Sequence, residues 1–195
     1  MTALPEVAAA LRAGSVAVIP TDTVYGVAAL PVCADAIFGL KRRSRAKALP
    51  VLGSGLEQLR SVAQVDEAVE ELATRAWPGP LTIVLPRAGG FTADLGGIER
   101  DTIAVRVPAH PLTLELLRAT GPLAVTSANV SGEPPASTFE DACSLFPLAV
   151  CLDGGTCDGS PSTIVSLVGE PRVLRVGELP EEDVLGWVRA RRKGS

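Results

Sequence analysis

The sequence predicts an α/β protein, a single domain built on one twisted, open, mixed sheet with flanking helices. Three observations predict it. Hydrophobic residues make up 47% of the 195 and aromatics only 4%, so the core must be built from Val, Leu, Ala and Ile, which suits a sheet covered by helices. The elements come as β-α-β units with hairpins between them, which mixes parallel and antiparallel pairing. Polar turns collect at strand ends, where open α/β sheets carry their ligand crevices. At this length one domain with one core is expected, spanning 1–195, with the core over about 5–177 and a C-terminal helix and tail over 178–195.

In chain order, residues 5–13 form a helix with Pro5 in the first turn and Gly14 as its stop. Residues 15–19 (S-V-A-V-I) form an apolar strand ended by Pro20. The turn P-T-D-T-V-Y-G follows over 20–26. Its Thr21, Asp22, Thr23 and Tyr25 are either ligand contacts at a strand end or members of a turn that bonds its own backbone. A helix over 34–41 turns Ile37, Phe38 and Leu40 inward and delivers Lys41, Arg42 and Arg43 at its C-terminal end, where the helix dipole favours cations. The run K-R-R-S-R-A-K over 41–47 packs five cations into seven positions of a chain with net charge −4. So local a concentration is either an anion site or a solvated helix end.

A strand over 49–52, helices over 55–62 and 65–76, the corner W-P-G-P over 77–80 and a strand over 81–85 come next. Residues 88–101 are Gly-rich and are expected to form an exposed, hairpin-like loop. In the strand over 102–107, Thr102, Ala104 and Arg106 share one side and Ile103, Val105 and Val107 the other. An arginine between valines is costly unless it snorkels outward or holds an anion. A helix over 111–119 and a strand over 123–125 lead to a second polar turn, T-S-A-N-V-S-G over 126–132. Ser137 or Thr138 caps a helix running to about Phe146. A strand over 148–152, a glycine loop over 153–161, paired strands over 162–167 and 173–175, and an amphipathic helix over 181–191 with a charged tail complete the chain.

Composition also narrows the chemistry. An acidic net charge argues against a general nucleic-acid coat while leaving a local contact open. No apolar run approaches the ~18–20 residues of a membrane span, and no signal-peptide pattern opens the chain, so a soluble, cytoplasmic protein is expected. Cys33, Cys143, Cys151 and Cys157 form no C-x-x-C pair, and the single histidine, His110, is remote from them. No metal site is therefore expected. Reduced thiols are preferred, with a disulfide among the later cysteines left open. With one histidine and no G-x-S-x-G, covalent catalysis is disfavoured. Hydroxyls and amides in P-T-D-T, T-S-A-N, P-A-S-T and P-S-T, with cations at 41–47, Arg106 and Arg175, suit a polyanion together with a small zwitterion. Phosphoryl or nucleotidyl transfer, which runs on positioning and charge stabilisation, needs little else. Neither G-x-x-x-x-G-K-[ST] nor G-x-G-x-x-G occurs, so ATP would be held by cations, hydroxyls and turn amides.

P-T-D-T-V-Y-G, K-x-R-x-x-x-K-A-L, W-P-G-P-L-T, V-R-V-P-A-H-P, T-S-A-N-V-S-G and S-T-I-V…L-R-V-G come in this order over about 15–177. Together they resemble the YrdC-type threonylcarbamoyl-AMP synthase family. The resemblance implies a concave, positively lined cavity and the reaction of L-threonine, bicarbonate and ATP to threonylcarbamoyl-AMP, pyrophosphate and water, toward tRNA threonylcarbamoyl-adenosine. It implies Mg²⁺ carried with the ATP and a downstream tRNA threonylcarbamoyltransferase complex that uses the adenylate, with a weak RNA contact left open. On this resemblance Lys41, Arg43, Ser127 and Asn129 form the catalytic set. ATP would meet Lys41, Arg43, Lys47, Thr102, Asn129, Ser137 and Arg175. L-Threonine would meet Thr21, Tyr25, Arg106, Ser127 and Ser162, with Arg106 pairing its carboxylate in a fork. His110 would buttress the turn after Arg106.

Three departures stand out. Leu52 replaces a histidine found in some members, Ser166 replaces the usual Asp after S-T-I-V, and the longer members' C-terminal domain is expected to be absent. The rival readings are a YciO-like nucleotide- or RNA-binding protein of the same fold without synthase activity, an RNA-binding module, and the carbamoyl-transfer domain of hydrogenase maturation. Few aromatics for base stacking weaken the second. Missing zinc-finger and acylphosphatase parts weaken the third.

Overall fold

The computed structural model describes residues 2–130, 132–157 and 159–192. Helix α1 (Leu4–Arg12), with its proline in the first turn, leads into β1 (Ala17–Ile19), which pairs antiparallel with β2 (Gly26–Ala29). Then come α2 (Ala34–Lys41), β3 (Val51–Leu52), α3 (Leu56–Leu59) and α4 (Glu67–Ala76). The hairpin of β4 (Leu81–Pro86) and β5 (Thr102–Arg106) follows, then α5 (Pro111–Thr120) and β6 (Leu123–Ser127). Helix α6 (Phe139–Leu145), β7 (Val150–Cys151), β8 (Thr163–Ser166), β9 (Arg172–Arg175) and α7 (Glu181–Arg192) end the described fold. The strands form one sheet in the order β7-β1-β2-β6-β3-β5-β4-β8-β9. The β1/β7, β3/β5 and β4/β8 pairs are parallel and the other neighbours antiparallel, so the fold is the single-domain mixed α/β sheet that the composition predicts.

The two faces of this sheet are covered unequally. On one, Val27, Val51, Ile83, Leu85, Ile103 and Val105 pack in a cluster with residues of α2, α4 and α7 such as Ile37, Phe38, Leu72 and Val184. On the other, α1 and α5 press Leu11, Leu116 and Leu117 onto Ile19, Ala28, Leu123 and Val125. Burying each such leucine contributes about 1.5–3 kcal/mol. That second cluster includes no residue of β4, β5 or β8. Thr82, Val84, Ala104, Arg106 and Ile164 therefore form the floor of a cavity instead. The predicted alternation of β5 is what divides Ile103 and Val105 from Ala104 and Arg106.

Three sequence readings change and one open alternative is resolved. Strand β2 was not foreseen, because G-V-A-A is buried at every position and shows no period-two alternation. Residues 88–101 do link a hairpin, but they are not simply exposed. Leu95 is buried, Leu49 N–H donates to its carbonyl at 2.8 Å, and Gly97 N–H donates to Arg45 O at 2.7 Å. The loop thus straps the basic segment, and Gly96 (φ +70°), where a Cβ would meet Arg45 O at 2.7 Å, permits that approach. Thr138, not Ser137, caps α6, its hydroxyl accepting from Asp141 N–H at 3.2 Å. Cys143 and Cys151 are joined as a disulfide between α6 and β7, where the reduced state was preferred. Their Cα atoms lie 6.2 Å apart, within bridging range. The charged tail beyond 192, Ser131 of T-S-A-N-V-S-G and Asp158 of the glycine loop lie outside the described residues. No helix among the described residues is long and apolar enough to cross a membrane.

Candidate active site

A cavity of about 550 Å³ opens over the floor just described, and Arg43, Arg106 and Arg175 all line it. Its positive lining is therefore a property of the geometry. Arg106 is 5% exposed and is held from three sides. Its Nε donates to Gly79 O at 2.9 Å, one Nη donates to Thr23 Oγ1 at 3.0 Å, and the other lies 2.7 Å from Asp22 Oδ1. That last contact is an ion pair out of line for a hydrogen bond, since neither atom has a hydrogen-bond partner among the described residues. Burial pushes the guanidinium below its ordinary pKa and Asp22 opposes the shift. The W-P-G-P corner now has a purpose. Gly79 N–H donates to Val107 O at 2.9 Å while its carbonyl anchors Arg106, and a Cβ there would meet Ala76 O at 2.4 Å.

The P-T-D-T-V-Y-G turn bonds its own backbone, one of the two readings open to it, and also lines the cavity. Thr21 lines the cavity, but its hydroxyl donates to Val24 O at 2.6 Å and accepts from the N–H groups of Thr23 and Val24. That leaves it with a turn-forming role of its own. Tyr25 is fully buried; its hydroxyl donates to Gly155 O at 2.8 Å and accepts from Gly154 N–H at 3.1 Å. Burial raises the phenol pKa. Tyr25 thus pins the glycine loop, and Gly154 is wedged so that a Cβ would meet Pro20 at 2.4 Å and His110 Cε1 at 2.9 Å. His110 precedes the first turn of α5, and burial lowers its pKa. Its position is that of a packing residue behind the loop.

Lys41 leaves the end of α2 and reaches the second polar turn, donating to Ser127 O and to Asn129 Oδ1, the latter at 3.0 Å. Ser127 Oγ donates to the same Asn129 oxygen at 2.7 Å, and Asn129 Nδ2 donates to Glu133 O at 2.7 Å. Burial, with Arg43 nearby, pushes the Lys41 amine down to about 8. Lys41 and Asn129 stand behind Ser127, which lines the cavity. Arg43 also lines it, its fork fixed by the carbonyls of Lys47 (3.3 Å) and Ala48 (3.2 Å), and burial lowers its pKa. The basic segment therefore divides. Arg42, a left-handed C-cap with φ 48°, and Lys47 are exposed. Arg45 turns away to Asp35 at 2.6 Å and Asp94 at 2.9 Å, over the Phe38 ring.

On the far wall, Ser162 and Arg175 act as one unit. Arg175 Nη2 donates to Ser162 O at 2.7 Å and to Ser162 Oγ at 3.2 Å. Burial and then repulsion from Arg106 lower the Arg175 pKa. A Cβ on Gly177 would meet Pro161 O at 2.2 Å, so the glycine of L-R-V-G permits the close β8–β9 crossing that sets this pair. Thr102 and Ser137 do not line the cavity. Thr102 Oγ1 donates to Glu99 O at 3.1 Å, and the Ser137 carbonyl accepts from Cys157 N–H at 2.8 Å. Leu52 does line it, and Ser166 is buried outside it. Sequence reasoning gave no role to Thr82, although the T of W-P-G-P-L-T alternates with core Leu81 and Ile83 and so had to face away from the core. Among the described residues no cluster of three His, Cys, Asp or Glu could hold a metal ion.

A family model for Sua5, YciO and YrdC proteins, described as telomere recombination, matches residues 9–177. The threonylcarbamoyl-AMP synthase of Pyrococcus abyssi is 40% identical over 192 residues, which are 92% of this chain and 56% of that protein. The threonylcarbamoyl-AMP synthase of Chromohalobacter salexigens is 36% identical over 171 residues, 84% of this chain and 92% of its own. The crystal structure of P. abyssi Sua5 complexed with L-threonine superposes with a TM-score of 0.87 at 34% identity, covering 96% of this chain and 58% of that one. The chain spans little more than half of these longer P. abyssi proteins and nearly all of the shorter relative. It belongs to the Sua5/YciO/YrdC family.

Proposed function

We propose that the protein is a threonylcarbamoyl-AMP synthase, converting L-threonine, bicarbonate and ATP to threonylcarbamoyl-AMP, pyrophosphate and water. The observation that carries this reading is the convergence of Arg43, Arg106 and Arg175 on one cavity, beside the Lys41–Ser127–Asn129 network. A relative of similar length bears the synthase name over 92% of its chain, which favours a single domain as sufficient.

Arg106, fixed from behind by Gly79 and Thr23, offers its remaining donors to the threonine carboxylate. Lys41 and Arg43 take the triphosphate. The amine, after losing a proton to solvent, adds to bicarbonate with loss of water. The carbamate oxygen then attacks the α-phosphorus, and pyrophosphate leaves with the electron pair of the broken P–O bond. Charge stabilisation and positioning carry the step, and no protein nucleophile is needed. Mg²⁺ bound to the triphosphate would add charge stabilisation there, beside Lys41 and Arg43. The labile adenylate passes, in the cytoplasm, to a tRNA threonylcarbamoyltransferase. Thr102, Ser137 and Lys47, outside the cavity lining, are assigned to the outer edge of the nucleotide.

Mass spectrometry of reactions containing all three substrates tests the reading: threonylcarbamoyl-AMP is expected, and AMP or ADP without it contradicts the assignment.

A further inference from the structure

Thr82 is the cavity-floor residue to which neither the motifs nor the proposed chemistry assigns a task. It is 4% exposed and its Oγ1 lies 2.9 Å from Ser162 Oγ, itself on a residue 7% exposed. Two hydroxyls carry two protons, and their mutual hydrogen bond uses one. Ser162 Oγ also accepts from Arg175 Nη2, which consumes a lone pair and no proton. Among the described residues neither hydroxyl has a further acceptor. Whichever way the shared bond points, one O–H of the pair is left over, facing the cavity. A buried donor of this kind costs free energy until something accepts from it.

The surroundings say what kind of acceptor fits. Ile83 pairs with Val105 and Val84 with Ala104, so one step further sets Thr82 opposite Arg106 on the cavity face. In the parallel direction Thr82 pairs with Ile164 of β8. The hydroxyl pair therefore lies between the buried guanidinium of Arg106 and that of the more exposed Arg175, which repel each other. Arg106 has Asp22 beside it, whereas Arg175 donates to the carbonyl and hydroxyl of Ser162, neither of which carries a charge. Two cations flanking a spare hydroxyl donor suit an oxyanion.

We infer that Ser162 donates to Thr82 and that the Thr82 O–H, opposite Arg106, donates the pair's uncommitted proton to the α-carboxylate of the amino-acid substrate, so that Thr82 is a specificity residue completing the Arg106 site. The inference rests on the reading of this cavity as an amino-acid site, but not on the adenylate chemistry. Thr82→Val leaves only the Ser162 proton, on the Arg175 side of the pair, so the donor opposite Arg106 is lost with the Thr82 hydroxyl while the side-chain volume is kept.

Calorimetric titration with L-threonine and with L-2-aminobutyrate, which lacks the side-chain hydroxyl, tests it. Thr82→Val is expected to weaken both ligands by about tenfold or more, the loss of one hydrogen bond to a charged group, with ATP affinity unchanged. Thr82→Ser is expected to restore binding to within about threefold. Wild-type affinity in Thr82→Val overturns the inference, as does equal weakness in Thr82→Ser, which would mean packing alone. Loss for threonine but not for aminobutyrate reassigns the proton to the side chain and overturns the carboxylate claim. Should Thr82→Val not fold, Thr82→Ala removes the same hydroxyl and must show the same two-ligand loss. Wild-type protein that binds no L-threonine overturns both the inference and the functional reading. Wild-type protein that binds L-threonine yet makes no adenylate overturns the latter alone.

Discussion

Arg106 and Asp22 meet with Nη2 2.7 Å from Oδ1, at side-chain exposures of 6% and 14%. The carboxylate is the nearest counter-charge for a cation the sheet has almost wholly desolvated. Removing one partner of a buried pair leaves the other uncompensated, at a cost of about 3–5 kcal/mol. Asp22→Asn is therefore expected to lower unfolding free energy by about 3 kcal/mol and to raise the KM for L-threonine more than that for ATP. Chemical denaturation and initial rates check the two arms.

Arg43 and Arg45, two positions apart, are expected to behave differently. Arg43 lines the cavity with its fork fixed on two carbonyls, while Arg45 is spent on Asp35 and Asp94. Arg43→Ala should cut kcat by about 10²-fold or more, the scale of a lost charge-stabilising donor, with the circular dichroism spectrum unchanged. Arg45→Ala should leave turnover within about threefold, as expected for a solvated ion pair. Equal losses would place the boundary of the site elsewhere.

Lys41 makes a pH prediction. Its amine is pushed down to about 8 in the folded chain, against an ordinary value of 10.5, because burial disfavours the cation. The unfolded chain therefore binds more protons at this site between about pH 8 and 10.5, and the site's contribution makes stability rise with pH across that window. On the proposed role of Lys41 in holding the triphosphate, activity is expected to move the other way, because that role uses the charged form. The kcat/KM for ATP is expected to fall above about pH 8, and in Lys41→Arg that limb should move up beyond the measured range.

Gly154 tests the wedge behind the site. A Cβ there would lie 2.4 Å from Pro20 Cγ and 2.9 Å from His110 Cε1. Gly154→Ala is expected to destabilise the fold by about 1–3 kcal/mol through overpacking, and to weaken substrate binding by displacing the loop that Tyr25 pins. Thermal unfolding with and without L-threonine separates the two effects.

Much of this was legible in the sequence, for reasons that differ by element. The alternation of residues 102–107 placed Arg106 on the opposite side from core Ile103 and Val105, as the structure has it. Helix α2 has its foreseen bounds, because its apolar spacing and basic C-terminal end agree. Strand β2 was missed because a strand buried on both faces has no alternation to read. The site was readable as to residue type but not as to partnership. That Thr21 spends its hydroxyl on the turn, that Gly79 O anchors Arg106, and that Thr82 shares a proton with Ser162 depend on backbone atoms and cross-strand neighbours brought together only by the fold.

The most direct test of the account is pyrophosphate release by the purified protein with ATP, omitting L-threonine and bicarbonate in turn. The account predicts release that requires both, with one pyrophosphate for each threonylcarbamoyl-AMP formed. Release that persists without threonine, or none when all three substrates are present, would contradict it.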